Sequence, residues 1–169
     1  MRHLTWQPAD DPAISLTGYL HDQSDTFPNL VRRPAVLILP GGGYEFCSDR
    51  EAEPIALALA GAGYHAFVLR YSVGEASQWP APLTDAEAAL RMIHDNAADW
   101  GVDAERIAVI GFSAGGHLAA ALSLFGGVRP AASLLIYPVI TASTLRVCHQ
   151  ATWDAPDLLA AIGPETPPT

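Results

Sequence analysis

From Val109 to Leu118 the chain runs Val-Ile-Gly-Phe-Ser-Ala-Gly-Gly-His-Leu, and this stretch constrains the fold more than any other. An apolar run, Ile107 to Ile110, stops in Gly111-Phe112-Ser113-Ala114-Gly115, and an alanine- and leucine-rich helical run follows at once. A G-x-S-x-G pattern between a buried strand and a helix requires a sharp reversal that lifts the Ser113 hydroxyl above the end of a sheet. Glycine suits positions 111 and 115 because a Cβ at either would collide where strand and helix cross closely. The free N–H groups and partial positive charge of the helix N-terminus point to the same spot. On its own the pentapeptide also fits a plain small-residue turn. The strand before it, the helix after it and a second motif upstream favour the elbow.

The rest of the chain has the periodicity of a layered α/β domain. Leu4 to Trp6 and Ile14 to Leu20 have the pattern of short strands, the second alternating apolar and polar like a half-buried antiparallel strand. Ala35 to Leu39, His65 to Tyr71 and Arg106 to Gly111 are nearly continuous apolar runs, as expected of strands covered on both faces, and Ala132 to Tyr137 is a further strand. Helices are expected from near Ser48, where Ser48 and Glu51 have capping-box spacing, to Gly61 and Gly63; from Thr84, paired in the same way with Glu87; and from His117 to Phe125. The middle helix should bury Ala86, Ala89, Leu90, Ile93 and Ala97, with Asp85, Glu87 and Asp95 on its exposed face. Strands followed by alternating helix and strand predict one domain over residues 1–169, a mostly parallel sheet with helices on both faces. After Val139 the pattern decays, with one short helix expected within Trp153 to Ile162.

Composition narrows the partners. Half of the 169 residues are apolar, 16% are charged, and the formal net charge is −9. That balance argues against nucleic-acid or anionic-membrane partners, both of which need a basic face. No run approaches the roughly 18 apolar residues of a membrane span, and the opening residues have no apolar signal core, so a cytoplasmic location is expected. Cys47 and Cys148 match no metal-ligand spacing and are expected to be reduced thiols, with no metal and no cofactor.

The chemistry compatible with an exposed elbow serine is acyl transfer. A serine hydroxyl is a weak nucleophile and needs a base, an orienting acid and donors for the developing oxyanion. The donors can be assigned: the backbone N–H of Ala114 after the serine, and those of Gly42 and Gly43, where Gly41-Gly42-Gly43 directly follows a buried strand. A nucleotide-phosphate loop is the rival reading of the triple glycine, but it lacks both the G-x-G-x-x-G spacing and a lysine. Asp49, Arg50 and Glu53 are candidates for orienting this loop through an ion pair, or else form a solvated helix start. Tyr44 and His117 are candidates for lining the substrate pocket, or for packing.

Several stretches carry a resemblance: Pro40-Gly41-Gly42-Gly43-Tyr44, Ser48-Asp49-Arg50-Glu51-Ala52-Glu53-Pro54, Gly63-Tyr64 leading to Leu69-Arg70-Tyr71-Ser72, Gly111 to His117, and Tyr137-Pro138-Val139-Ile140. Between about Thr5 and Thr141 the chain resembles the α/β-hydrolase superfamily, in its branch of small bacterial acetyl-esterase and acetylxylan-esterase-like carboxylesterases. Pro40 stands where that group usually has a histidine before its glycine loop. The resemblance implies a serine carboxylesterase for short acyl esters, acetyl esters above all, acting through an acyl-enzyme on Ser113 without metal. It also implies a triad in the order serine, acid, histidine. After Ser113 the acids are Asp154, Asp157 and Glu165 and the histidines are His117 and His149, so no histidine follows an acid. The expectation is therefore an α/β-hydrolase fold lacking its C-terminal strands and helix, inactive or nearly so as a lone chain. Two alternatives stay open: a non-catalytic remnant binding a small ester or a protein, and an assembly in which another chain supplies acid and histidine. The uncharged strand 132–137, with nothing after it that reads as a neighbour, is expected to favour homo-oligomers through its free edge.

Overall fold

The computed structural model describes residues 1–8, 13–23, 26, 31–141, 155–164 and 166–169. Six strands form one sheet: β1 (Arg2–Trp6), β2 (Ser15–Leu20), β3 (Arg33–Leu39), β4 (His65–Arg70), β5 (Val102–Phe112) and β6 (Ala132–Ile136). Their spatial order is β1-β2-β4-β3-β5-β6. The β1–β2 and β2–β4 pairings are antiparallel; β4–β3, β3–β5 and β5–β6 are parallel. The helices are α1 (Glu53–Gly61), α2 (Ala81–Asp95), the single turn α3 (Ala97–Trp100) and α4 (Ala114–Phe125).

The apolar runs explain the layering. Side chains along a strand alternate between faces, so a strand with no polar positions must be covered twice. In β3, Val36 and Ile38 pack with Ala52 and Ala56 at the start of α1, together with Val68, Ile110 and Phe112. Leu37 and Leu39 face the other way, into a core with Phe67, Leu69, Val109, Leu90, Ile93, Leu118 and Leu122, contributed largely by α2 and α4. Leu37, Ile38 and Leu39 are all fully buried, each worth at most about 1.5–3 kcal/mol of apolar transfer. The expected stripe of α2 is buried at Ala86, Ala89, Leu90 and Ile93, with Ala97 just beyond in α3.

Helix starts differ from the sequence reading. Ser48 makes no side-chain cap; a 3₁₀ turn over Asp49–Glu51 comes first, and α1 opens at Glu53 with Pro54 in its first turn. Helix α2 opens at Ala81, three residues before Thr84, whose hydroxyl bonds back to the Pro80 carbonyl. Asp85 and Glu87 are half-buried: Asp85 accepts the Ser72 N–H at 2.8 Å and Glu87 accepts the Gly127 N–H at 2.6 Å. Only Asp95 of the three is exposed. Helix α4 starts at Ala114, directly after the serine. Of the helix expected within residues 153–162, the described part has one 3₁₀ turn, Leu159–Ala161.

Strand β6 lies at the sheet edge. Its Ser133 N–H is taken by the carbonyl of Pro168 at 2.8 Å, so the last residues fold back along it for one hydrogen bond. An apolar cavity of about 220 Å³ lies between α4, β6 and that returning segment, bordered by Ala120, Leu124, Leu135, Leu158 and Ile162.

Candidate active site

The first two features of the site come from one collision. An ideal Cβ on Gly111 would sit 2.1 Å from the Gly115 carbonyl oxygen, and one on Gly115 would sit 2.1 Å from that of Leu39. Strand β5, helix α4 and the end of β3 therefore meet backbone to backbone, and only glycine permits it. Between them Ser113 takes φ 52° and ψ −113°, a conformation that side-chain-bearing residues rarely adopt. Three backbone hydrogen bonds hold it there. Its N–H donates to the Ile136 carbonyl at 3.0 Å, and its carbonyl accepts the N–H groups of His117 and Val139, each at 3.1 Å. The hydroxyl makes no cap to α4 and is left for other partners.

The glycine loop reaches the same point from the end of β3. An ideal Cβ on Gly41 would lie 3.1 Å from the Ser113 Cβ, so loop and elbow touch. Gly42 and Gly43 have φ of 133° and 65°, and Tyr44 follows at 63°. The Gly42 carbonyl accepts the N–H groups of Glu45 and Phe46, the Gly41 carbonyl that of Ser48, and the Tyr71 hydroxyl donates to the Pro40 carbonyl at 2.6 Å. The Gly41 N–H is taken by the Glu51 carboxylate at 2.8 Å. The N–H groups of Gly42, Gly43 and Ala114 find no acceptor among the described residues. These are the three groups assigned from the sequence as oxyanion donors.

Tyr44 and His117 are placed in the interior, the second of the two readings the sequence left for them. Both are fully buried, with the tyrosine hydroxyl and His117 Nδ1 2.8 Å apart. The His117 ring stands edge-on to Trp79 and Tyr44, and its Nε2 has no hydrogen-bond partner among the described residues. Burial pushes the imidazole down to about 4, so it is neutral near pH 7. The physical reason is the helix it belongs to: every residue of α4 from Ala114 to Ser123 is buried, so position 117 has no solvated flank. Tyr44 is held the same way, its desolvated phenol raised far above its ordinary range.

Among the described residues no histidine side chain is hydrogen-bonded to the Ser113 hydroxyl, and no group of three or more His, Cys, Asp or Glu is placed to hold a metal. His149, Cys148, Asp154 and Glu165 lie outside the described residues. Asp157 accepts the N–H of Leu159. Cys47 is a free thiol, raised by burial. No described helix is long and apolar enough to cross a membrane. Asp49 does pair with Arg70, at 2.5 Å, and Arg70 also reaches the Cys47 carbonyl; with Asp49 largely exposed, the pair is worth at most about 1 kcal/mol. Arg50 and Glu53 are exposed. The residue that grips the loop is Glu51, which the sequence reading spent on a helix cap.

Residues 28–132 match the BD-FAE family. The chain belongs to that family of α/β-hydrolase esterases. It is 33% identical over 136 residues to an acetylxylan esterase of Xylanibacter ruminicola, covering 79% of this chain and 28% of that protein. It is 35% identical over 131 residues to the carboxylesterase NlhH of Mycobacterium tuberculosis, covering 74% and 41% respectively. Among solved structures, MGS-M1, an α/β-hydrolase enzyme from a Medee basin deep-sea metagenome library, superposes with a TM-score of 0.88 at 47% identity, over 99% of this chain and 66% of that one. The chain thus spans less than half the length of these two curated relatives. The order and mixed direction of its sheet are those of the α/β-hydrolase fold expected from the sequence.

Proposed function

We propose that this chain carries the nucleophile and oxyanion hole of a serine carboxylesterase for short acyl esters. The observation that carries the reading is the meeting of the strained Ser113 with three N–H groups, Gly42, Gly43 and Ala114, that lack acceptors among the described residues. In the proposed reaction the Ser113 oxygen attacks the ester carbonyl carbon, and the carbonyl oxygen becomes an oxyanion facing those donors. Collapse of the tetrahedral adduct expels the alcohol and leaves an acyl-serine, which water hydrolyses. Each donor of such a hole is worth about 3–4 kcal/mol in the transition state. The preference for acetyl rests on the relative named an acetylxylan esterase. The proton on Ser113 must leave for a base, and His117 is buried, bonded to Tyr44 through Nδ1 and without a side-chain hydrogen bond to Ser113 among the described residues. We therefore propose that the 169-residue chain by itself turns over slowly.

The test uses the chain and its Ser113→Ala variant with p-nitrophenyl acetate and a fluorophosphonate probe. Slow turnover and slow labelling, both lost in the variant, support the reading. Activity surviving Ser113→Ala removes Ser113 from the mechanism. Turnover at ordinary esterase rates that depends on Ser113 keeps the nucleophile but defeats the proposal of a weak lone chain, and His149→Ala would then identify the base.

A further inference from the structure

Glu51 makes contacts that neither a helix cap nor an exposed charge would need. One carboxylate oxygen accepts the N–H of Gly41, ten residues earlier, at 2.8 Å. The other accepts the hydroxyl proton of Tyr137, the first residue after β6. These two partners border Ser113 from opposite sides. Gly41 is in contact with the elbow, its ideal Cβ position being 3.1 Å from the Ser113 Cβ and 2.8 Å from the Glu51 oxygen. Tyr137 follows Ile136, whose carbonyl holds the Ser113 N–H, and its ring packs against Phe112. Tyr137 itself has φ 36° and is mostly exposed, so the core does little to hold it.

We propose that Glu51 is the positioning residue of the glycine loop, a carboxylate clasp tying the end of β3 to the exit of β6 across the elbow. The assignment rests on the esterase reading for its catalytic consequence, but its structural half stands apart from it. By engaging Gly41, Glu51 fixes the peptide preceding the two donors at Gly42 and Gly43, while keeping Gly41 itself out of the hole. Both carboxylate oxygens are occupied, so the side chain acts through the loop and not as a base. A negative charge this close to a developing oxyanion would oppose it, so what Glu51 offers is geometry. Glutamine can reproduce that geometry, accepting from Gly41 through its oxygen and donating to the Tyr137 hydroxyl through its amide.

The experiment reads backbone hydrogen exchange over Gly41–Gly43 and p-nitrophenyl acetate kinetics in the full chain and its Glu51→Ala, Glu51→Gln and Tyr137→Phe variants. Glu51→Ala should speed exchange in that segment by about tenfold and lower kcat by about 10- to 100-fold with KM within about threefold, less than the roughly 100- to 1000-fold of removing one donor outright, because the donors are loosened and not lost. Glu51→Gln should rescue most of both losses. Tyr137→Phe, which touches only an exposed hydroxyl, should give a smaller loss of the same kind and no further loss in the Glu51→Ala background. Unchanged exchange in Glu51→Ala, exchange in Glu51→Gln as fast as in Glu51→Ala, or additive effects with Tyr137→Phe would each overturn the assignment. If the parent neither turns over nor labels, the esterase reading fails, and the exchange data still decide whether Glu51 holds the loop.

Discussion

Replacing Ser113 with glycine should stabilise this protein, and the sign of that change tests the elbow more sharply than loss of activity does. Ser113 has φ 52° and ψ −113°. A Cβ-bearing residue held in such a region costs about 1–3 kcal/mol, which the surrounding structure must offset. The three hydrogen bonds that impose it all use backbone atoms, so glycine keeps every one. The serine side chain makes no cap to α4, so its removal forfeits no such bond. Against the relief stands the greater freedom of glycine in the unfolded chain, about 0.5–1 kcal/mol. The net expectation is a gain of about 1 kcal/mol for Ser113→Gly and almost none for Ser113→Ala, which keeps the Cβ. For a chain of this size that separates the two variants by about 2–4 °C in Tm. At an ordinary helical or extended position alanine is the more stable of the pair by about 0.5–1 kcal/mol, so the order should be reversed here. Urea titrations of both variants at pH 7 measure it. An alanine variant more stable than the glycine variant would refute the strained elbow.

Two further outcomes follow from buried and exposed groups. The His117 imidazole is held at about 4 when folded and rises towards 6.5 when unfolded, so the unfolded chain binds a proton first as pH falls. Stability present above pH 6.5 should therefore be lost between pH 6.5 and 4, by about 2 kcal/mol from pH 7 to pH 5; His117→Gln should flatten this part of a urea-midpoint profile, and an unchanged slope would show the imidazole is not the source. At the sheet edge, Leu134 is 45% exposed on an uncharged strand whose Ser133 N–H is met by Pro168, so we expect self-association through β6 that Leu134→Lys weakens; sedimentation showing a monomer at every micromolar concentration would remove that expectation.

What the sequence made legible was whatever depended on period and on backbone sterics. All six strands fall where continuous or alternating apolar runs were read, because a strand covered on both faces has no polar position to misplace it. The stripe of α2 is buried where a 3.6-residue period puts it. The elbow and the triple glycine could be assigned because their geometry is a demand for missing Cβ atoms, and that demand is written as glycine. For Tyr44 and His117 the sequence left pocket lining and packing both open, and both side chains are buried. An alanine-rich helix buried all round has no polar face, so nothing in its spacing says whether position 117 faces solvent or core.

The misread acids share one cause, and it bears on what the negative charge of this chain is for. Glu51, Asp85 and Glu87 sit at or near helix starts, where sequence spacing assigns them to capping boxes or to a solvated face. Each instead accepts a backbone N–H distant in sequence: Gly41 for Glu51, Ser72 for Asp85, Gly127 for Glu87. Loop N–H groups that leave a sheet or helix have no ladder partner, and burying one unpaired costs about 1–3 kcal/mol. A carboxylate reaching in from a neighbouring helix satisfies such a group with a charge-assisted bond, stronger than a hydroxyl or amide would make. No local pattern can reveal this, because the donor and the acid meet only after the sheet has formed. Part of the formal charge of −9 thus goes into holding loops, part-buried at Gly41 and Ser72 and exposed at Gly127. One of those loops is the glycine turn beside Ser113, and Glu51 lies in the 3₁₀ turn before α1, so exchanging it would leave α1 intact and still loosen the site.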